Sequence, residues 1–160
     1  MIAVTFVCLG NICRSPMAEA VFLRLIKERG VELSFTVNSR ATSDCEVGNP
    51  VYPPAQKALK ERGYNFSHRA TKLTLQDIKN ADYVLVMDEM NLADVKRIAG
   101  ACAGKVHMLG HYLADKTEID DPWYTRDFDR TYNEIYASCN AFLDYLFEEH
   151  AEAFNYDKRH

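Results

Sequence analysis

The chain has no surplus of positive charge. Its 19 lysines and arginines face 23 aspartates and glutamates, a formal net charge of -4, so general attraction to nucleic acid or to an acidic membrane surface is not expected. No apolar run approaches membrane-spanning length. Met1 leads straight into an apolar segment, without the basic stretch and apolar core of a signal peptide, and a cytoplasmic location is expected. Cysteine is sparse. The five present (Cys8, Cys13, Cys45, Cys102, Cys139) are odd in number and irregular in spacing, which argues against a disulfide framework and fits a reducing compartment. Internal repeats, linkers and low-complexity segments are missing too. With 160 residues, 48% hydrophobic and 26% charged, residues 1–160 read as one domain able to bury a substantial core.

What is present concentrates near the start, in FVCLGNICRSPMAEAVF, Phe6 to Phe22. Ile2, Ala3, Val4, Phe6 and Val7 read as a strand, and Met17, Val21 and Leu25 recur at helical period. Between them Cys8 and Arg14 bracket five residues: Leu9, Gly10, Asn11, Ile12 and Cys13. Ser15 stands where a helix N-cap is expected, with Pro16 at the first helical position. A loop of this length curls so that backbone N–H groups point inward, and the helix dipole adds positive charge in the same direction. Gly10 and Asn11 permit the positive φ that such a curl needs. Arg14 supplies a planar fork matched to two phosphate oxygens. The expected ligand is therefore a tetrahedral oxyanion. Cys8 would lie on the pocket floor, where the dipole and Arg14 favour its thiolate, and the Ser15 hydroxyl could bond the sulfur and help it leave. Each feature alone is ordinary, but together they favour a cysteine nucleophile aimed at phosphorus.

Further along, Met17 to Arg29 reads as an amphipathic helix stopped by Gly30, and Val31 to Asn38 as a second strand. A loop through Ser39, Arg40, Ser43, Asp44, Gly48, Asn49, Pro53 and Pro54 leads to a short helix from Pro54 to Arg62. Thr74 caps a helical turn to Asn80. Ala81 to Met87 is a buried-type strand, Asn91 to Ala99 a helix, and Val106 to Leu109 a fourth strand. Asp127 to His150 forms a long helix with Phe128, Tyr132, Ile135, Cys139, Phe142 and Leu146 on one face. Alternating strands and helices indicate an α/β fold, a parallel sheet covered on both faces. Ligands of such sheets bind beyond the C-terminal strand ends, where Cys8 stands.

A thiolate displacing an alkoxide or phenoxide needs an acid near the leaving oxygen. Thr117 to Tyr124 offers the adjacent carboxylates Asp120 and Asp121, with Pro122 stiffening the turn and Trp123 and Tyr124 as apolar walls able to stack on an aromatic group. Composition by itself favours an ordinary turn here.

Cys8, five residues, Arg14 and Ser15, set as VCLGNICRSPMAEA, resemble the signature of the low-molecular-weight protein tyrosine phosphatases. The resemblance implies a single three-layer domain, with a four-stranded parallel sheet flanked by helices and the phosphate-binding loop after strand 1. It implies metal-independent hydrolysis of phosphotyrosine through a cysteinyl phosphate, with Cys8 as nucleophile, Arg14 as clamp and Asp121, immediately before Pro122, as general acid and base. Asn11, Ser15, Ser39 and His68 match the family's loop-supporting network, and Asp88 an acid after the third strand. Cys13 matches a cysteine that traps an oxidised nucleophile as a disulfide. No metal or other cofactor is expected, because Arg14 and the loop amides supply the positive charge. Expected partners are phosphotyrosine-containing proteins or aryl phosphates, with no nucleic acid or membrane, and the chain is expected to be a monomer.

Departures from the pattern cluster at the rim. Asn38 replaces an aspartate, Arg40 a small residue, Cys45 an aromatic, and Trp123 a tyrosine or phenylalanine; Tyr124 is the remaining rim tyrosine. Arg40 could draw acidic substrates. An arsenate reductase would need a relay of further cysteines, which the sequence does not offer. A phosphate-binding module without turnover would lack Cys8 or the acid. Zinc on His107 and His111 is disfavoured because they flank Gly110 after a strand, and a nucleotide P-loop would need a Gly-Lys-Ser/Thr ending.

Overall fold

The computed structural model describes residues 1–154. Four parallel strands form one sheet in the order β2-β1-β3-β4. They are β1 (Ile2–Cys8), β2 (Phe35–Ala41), β3 (Tyr83–Val86) and β4 (Val106–Met108). The helices are α1 (Arg14–Glu28), α2 (Pro53–Glu61), α3 (Leu75–Asn80), α4 (Glu89–Ala99), α5 (Pro122–Thr125) and α6 (Phe128–Glu149). Single 3₁₀ turns occupy Glu32–Ser34, Gly100–Lys105 and Leu109–Tyr112.

The sheet separates two apolar clusters. On one side α1, α2 and α6 pack Phe22, Ile26, Leu59, Ile135 and Phe142 against Val4, Phe6 and Leu85. On the other, α3 and α4 pack Ile78 and Val95 against Val7, Val84 and Val86. Alternate residues of β1 therefore serve opposite layers, which is why the strand is apolar nearly throughout. Phe142 is fully buried, with ring centroids of Phe22, Tyr83 and Tyr112 at 5.6, 5.4 and 4.9 Å. Truncating such a side chain to alanine typically costs about 3–5 kcal/mol.

The element order agrees with the sequence reading, and the differences fall at boundaries. The second strand lies later than Val31 to Asn38. A 3₁₀ turn takes Glu32–Ser34, and pairing runs from Ile2 with Phe35 to Cys8 with Ala41. Ser39 and Arg40 are consequently strand residues, and the Ser39 hydroxyl reaches Asn11 in the loop after β1. The first helix begins at Arg14, not Met17, and Cys13 occupies the N-cap without a side-chain bond. Ser15 is thus inside the first turn, where helix N–H groups lack intrahelical partners, and its hydroxyl points back to Cys8. The fourth helix starts at Glu89 because Asp88 caps it, accepting from Asn91 N. Helix α5 was not expected; Asp121 caps it and Pro122 opens it.

Candidate active site

The loop after β1 closes around the Cys8 sulfur. Asn11 N and Ser15 N donate to Sγ at 3.3 and 3.4 Å, and Ser15 Oγ lies 3.0 Å away. Two backbone donors and a hydroxyl converging on one sulfur form a setting suited to negative charge, with the α1 N-terminus directed the same way. Asn11 makes the curl possible: its φ is +58°, in the left-handed region, which asparagine tolerates better than most residues. Gly10, also expected to turn this way, is not in that region; a β-carbon there would come within 3.4 Å of the Glu46 side chain.

Asn11 is fully buried and its amide is a hub. Nδ2 donates to Ser15 Oγ at 2.7 Å and Ser39 Oγ at 3.0 Å, while Oδ1 accepts from Thr71 N at 3.0 Å and pairs with His68 Nε2 at 2.7 Å. Ser39 donates to Glu19 Oε1 at 2.6 Å. Burial, reinforced by Arg40, holds the His68 imidazole below its ordinary value. Burial raises the Glu19 carboxyl, against lowering by Ser39 and Arg40. Because an amide oxygen only accepts, His68 Nε2–H is the donor to Asn11 Oδ1, and His68 Nδ1 lies 3.7 Å from Glu19 Oε1.

Arg14 is 3% exposed and arrives already oriented. Its Nη1 donates to Asp88 Oδ2 at 2.7 Å and to the Ile119 carbonyl at 2.8 Å. Burial works against the cation, but Cys8, Asp88 and Asp121 outweigh it and the net shift is upward. Asp121 Oδ2 lies 3.6 Å from Arg14 Nη2, and its other oxygen accepts from Trp123 N at 3.0 Å. The segment carrying Asp121 is anchored by Ile119 N to the Met87 carbonyl at 2.9 Å. Gly110 makes that course possible, since any β-carbon there would run into the Thr117 carbonyl.

One cleft brings the pieces together, lined by Cys8, Leu9, Gly10, Ile12, Cys13, Arg14, Ser43, Cys45, Glu46, Asp121, Trp123 and Tyr124. Its floor is a sulfur and a guanidinium, and its mouth is aromatic. A model of the family described as low molecular weight phosphotyrosine protein phosphatase matches residues 3–152. The chain belongs to that family. It is a protein tyrosine phosphatase. The low molecular weight phosphotyrosine protein phosphatase of Gallus gallus is 43% identical over 148 residues, covering 89% of this chain and 94% of the relative. PtpA, a low molecular weight protein-tyrosine-phosphatase of Staphylococcus aureus (strain MRSA252), is 33% identical, covering 93% and 96%. The crystal structure of YfkJ from Bacillus subtilis superposes with a TM-score of 0.90 at 34% identity, covering 94% of this chain and 97% of that one.

Within the phosphatase, most of the expected residues meet. Asn11, Ser15, Ser39 and His68 form one hydrogen-bonded cluster beneath the loop, and Asp88 holds Arg14. Cys45 and Tyr124 are exposed at the cleft, and Trp123 packs at a tilt of 49° against Tyr52, with ring centroids 4.9 Å apart. Arg40 does not line the cleft: it bonds Asp77 at 3.3 Å and the Ser39 carbonyl at 2.8 Å. As a strand residue it turns toward α3, so attraction of acidic substrates by Arg40 has no support. Asp120 faces outward and pairs with Arg130 at 3.2 Å. Ser43, Glu46 and Glu19 were not singled out from sequence. Glu19 stands one helical turn after Ser15, on the loop side of α1, a spacing that could have pointed to it. Glu46 comes from a loop whose path no sequence periodicity records. All five cysteines are unpaired.

Proposed function

We propose that the phosphatase, acting as a single domain across residues 1–160, hydrolyses phosphotyrosine in proteins, and small aryl phosphates, by two displacements at phosphorus. The observation that carries this is the Cys8 sulfur under three donors, with Arg14 and Asp121 beside it in the same cleft. Cys8 attacks the phosphorus while Arg14 and the loop amides hold the equatorial oxygens, where charge concentrates. The bond to the phenolic oxygen breaks and Asp121 gives that oxygen its proton. Asp121, now a carboxylate, takes a proton from water as the water attacks the cysteinyl phosphate, and Ser15 Oγ stabilises the departing sulfur. The positive charge needed in both steps comes from the chain itself, and no metal enters the scheme.

Asp88 fixes Arg14 in a bidentate-ready orientation, so less rotamer freedom is lost when phosphate binds. Trp123 and Tyr124 give the aryl group an apolar wall. No described helix is long and apolar enough to cross a membrane. The proposed setting is cytoplasmic, with the protein acting as a monomer.

The deciding experiment is phosphate release from a phosphotyrosine peptide, with chelator and reductant present, for wild type and Cys8→Ser. Turnover that survives chelation and vanishes in the variant is expected. Absence of turnover in wild type, with phosphate still bound, would replace catalysis by phosphate binding alone.

A further inference from the structure

Beyond the Cys8 cleft, a second groove opens at the free edge of the sheet. It is lined by Leu92 and Lys96 of α4, Val106, His107 and Met108 of β4, His111 and Tyr112 of the following 3₁₀ turn, and Tyr145 of α6. It shares no residue with the Cys8 cleft. Four elements converge here because β4 pairs only with β3, leaving its other flank to α4 and α6.

The charge in this groove is one-sided. Lys96, His107 and His111 come from three separate elements, and no aspartate or glutamate lines the groove with them. Among the described residues, none of the three side chains has an ion-pair or hydrogen-bond partner, whereas neighbouring Arg97 is paired with Asp94 at 3.1 Å and the His150 ring bonds Tyr83 at 2.8 Å. The chain has acidic residues in excess, so this is not a shortage of carboxylates. The basic groups also crowd one another: burial, then Lys96, then His111 hold His107 below its ordinary value. An anion would relieve that crowding, with Lys96 supplying charge and the two imidazoles N–H donors. The remaining walls are apolar, with Leu92, Val106 and Met108 beside two tyrosines. The rings of Tyr112 and Tyr145 lie 5.0 Å apart at 53°, offering a face to a planar group beside the basic side chains.

We propose that this groove is a second ligand site, taking an aromatic phosphate monoester whose phosphate meets Lys96, His107 and His111 and whose ring meets Tyr112 and Tyr145. Two sources share that chemistry, a nucleoside monophosphate and the phosphotyrosine side chain itself.

The test is an NMR titration of the His107 and His111 ring signals in protein whose Cys8 cleft is filled with one equivalent of orthovanadate. The probes are adenosine monophosphate, O-phosphotyrosine, adenosine and inorganic phosphate. Saturable shifts of both rings are expected with one of the two monoesters, at least about tenfold tighter than with inorganic phosphate, because ring and phosphate are both engaged. The tighter monoester identifies the source. Lys96→Gln should weaken that binding about tenfold, the loss of one charge-assisted contact, and Lys96→Arg should retain it. Both variants should hydrolyse a small aryl phosphate with unchanged kcat and KM. Non-saturable shifts, equal binding of inorganic phosphate, or an unaffected Lys96→Gln would each overturn the proposal.

Discussion

Replacing Asn11 by glycine and by alanine separates two things that its one side chain does. The side chain makes four hydrogen bonds in a fully buried setting, and the backbone holds φ at +58°. Glycine keeps the backbone geometry and loses the bonds. At about 1 kcal/mol net for each bond, with partners left unpaired in the interior, the expected loss is about 3–5 kcal/mol. That is a large fraction of a typical domain's stability of about 5–15 kcal/mol. Alanine loses the same bonds and adds a left-handed penalty of about 1–2 kcal/mol, partly offset by glycine's greater backbone entropy. Alanine should therefore be less stable than glycine by about 0.5–1 kcal/mol, the reverse of the usual order. Urea denaturation reads both effects. With a slope of about 2 kcal/mol per molar, the midpoint should fall by about 2 M. Aryl phosphate turnover by the folded fraction should fall too, because the donors to Cys8 lose their support. A midpoint within about 0.3 M of wild type for both variants would refute the weight given to the network. Alanine as the more stable variant would refute the backbone part.

Asp121→Asn should slow poor phenolic leaving groups by about 10²–10⁴-fold and good ones far less, measured as kcat across substituted phenyl phosphates; equal slowing would remove Asp121 from proton transfer. Cys13, whose thiol is pushed up by burial and by Cys8, should condense with a Cys8 sulfenic acid formed by peroxide, releasing water and leaving a disulfide. Thiol should then restore wild type after peroxide but restore Cys13→Ser much less, and full recovery of both would count against that role. His68 titrates below its ordinary value in the folded chain, so the unfolded chain binds more protons. Its stabilising contribution is present above about pH 6.5 and is lost as pH falls through the depressed folded value. Glu19, raised by burial, acts in the opposite sense, losing its contribution as pH rises through its folded value. The difference between wild type and His68→Gln in urea stability from pH 5 to 8 isolates the histidine. A parallel pair of curves would show that it contributes no pH dependence.

Much of the loop after β1 was legible in the sequence because its determinants are local. Cys8 ends an apolar strand, and Arg14 and Ser15 follow within one turn of chain, so spacing alone brings a thiol, a guanidinium and a hydroxyl to one place. Helix periods likewise placed α2, α4 and α6, and the Thr74 cap placed α3, whose capping box with Asp77 is present. Resemblance to a family supplied what spacing could not, above all the choice of Asp121 over Asp120. The structure distinguishes the two physically: Asp121 caps α5 and faces Arg14, while Asp120 pairs outward with Arg130.

The remaining features were decided by long-range pairing. The register of β2 against β1 moved the strand to Phe35–Ala41, which set Ser39 under Asn11 and turned Arg40 away toward Asp77. A period-two pattern specifies faces only once a partner strand fixes the register. The rim depended equally on approach between distant segments, with Glu46 lying against Gly10 and the Thr117 carbonyl passing over Gly110. The sequence by itself determined a loop that brings Cys8, Arg14 and Ser15 together ahead of a helix, because those contacts lie within about ten residues. Only the tertiary structure decided which carboxylate faces the loop, where Arg40 goes and what lines the cleft, because those contacts join residues dozens of positions apart.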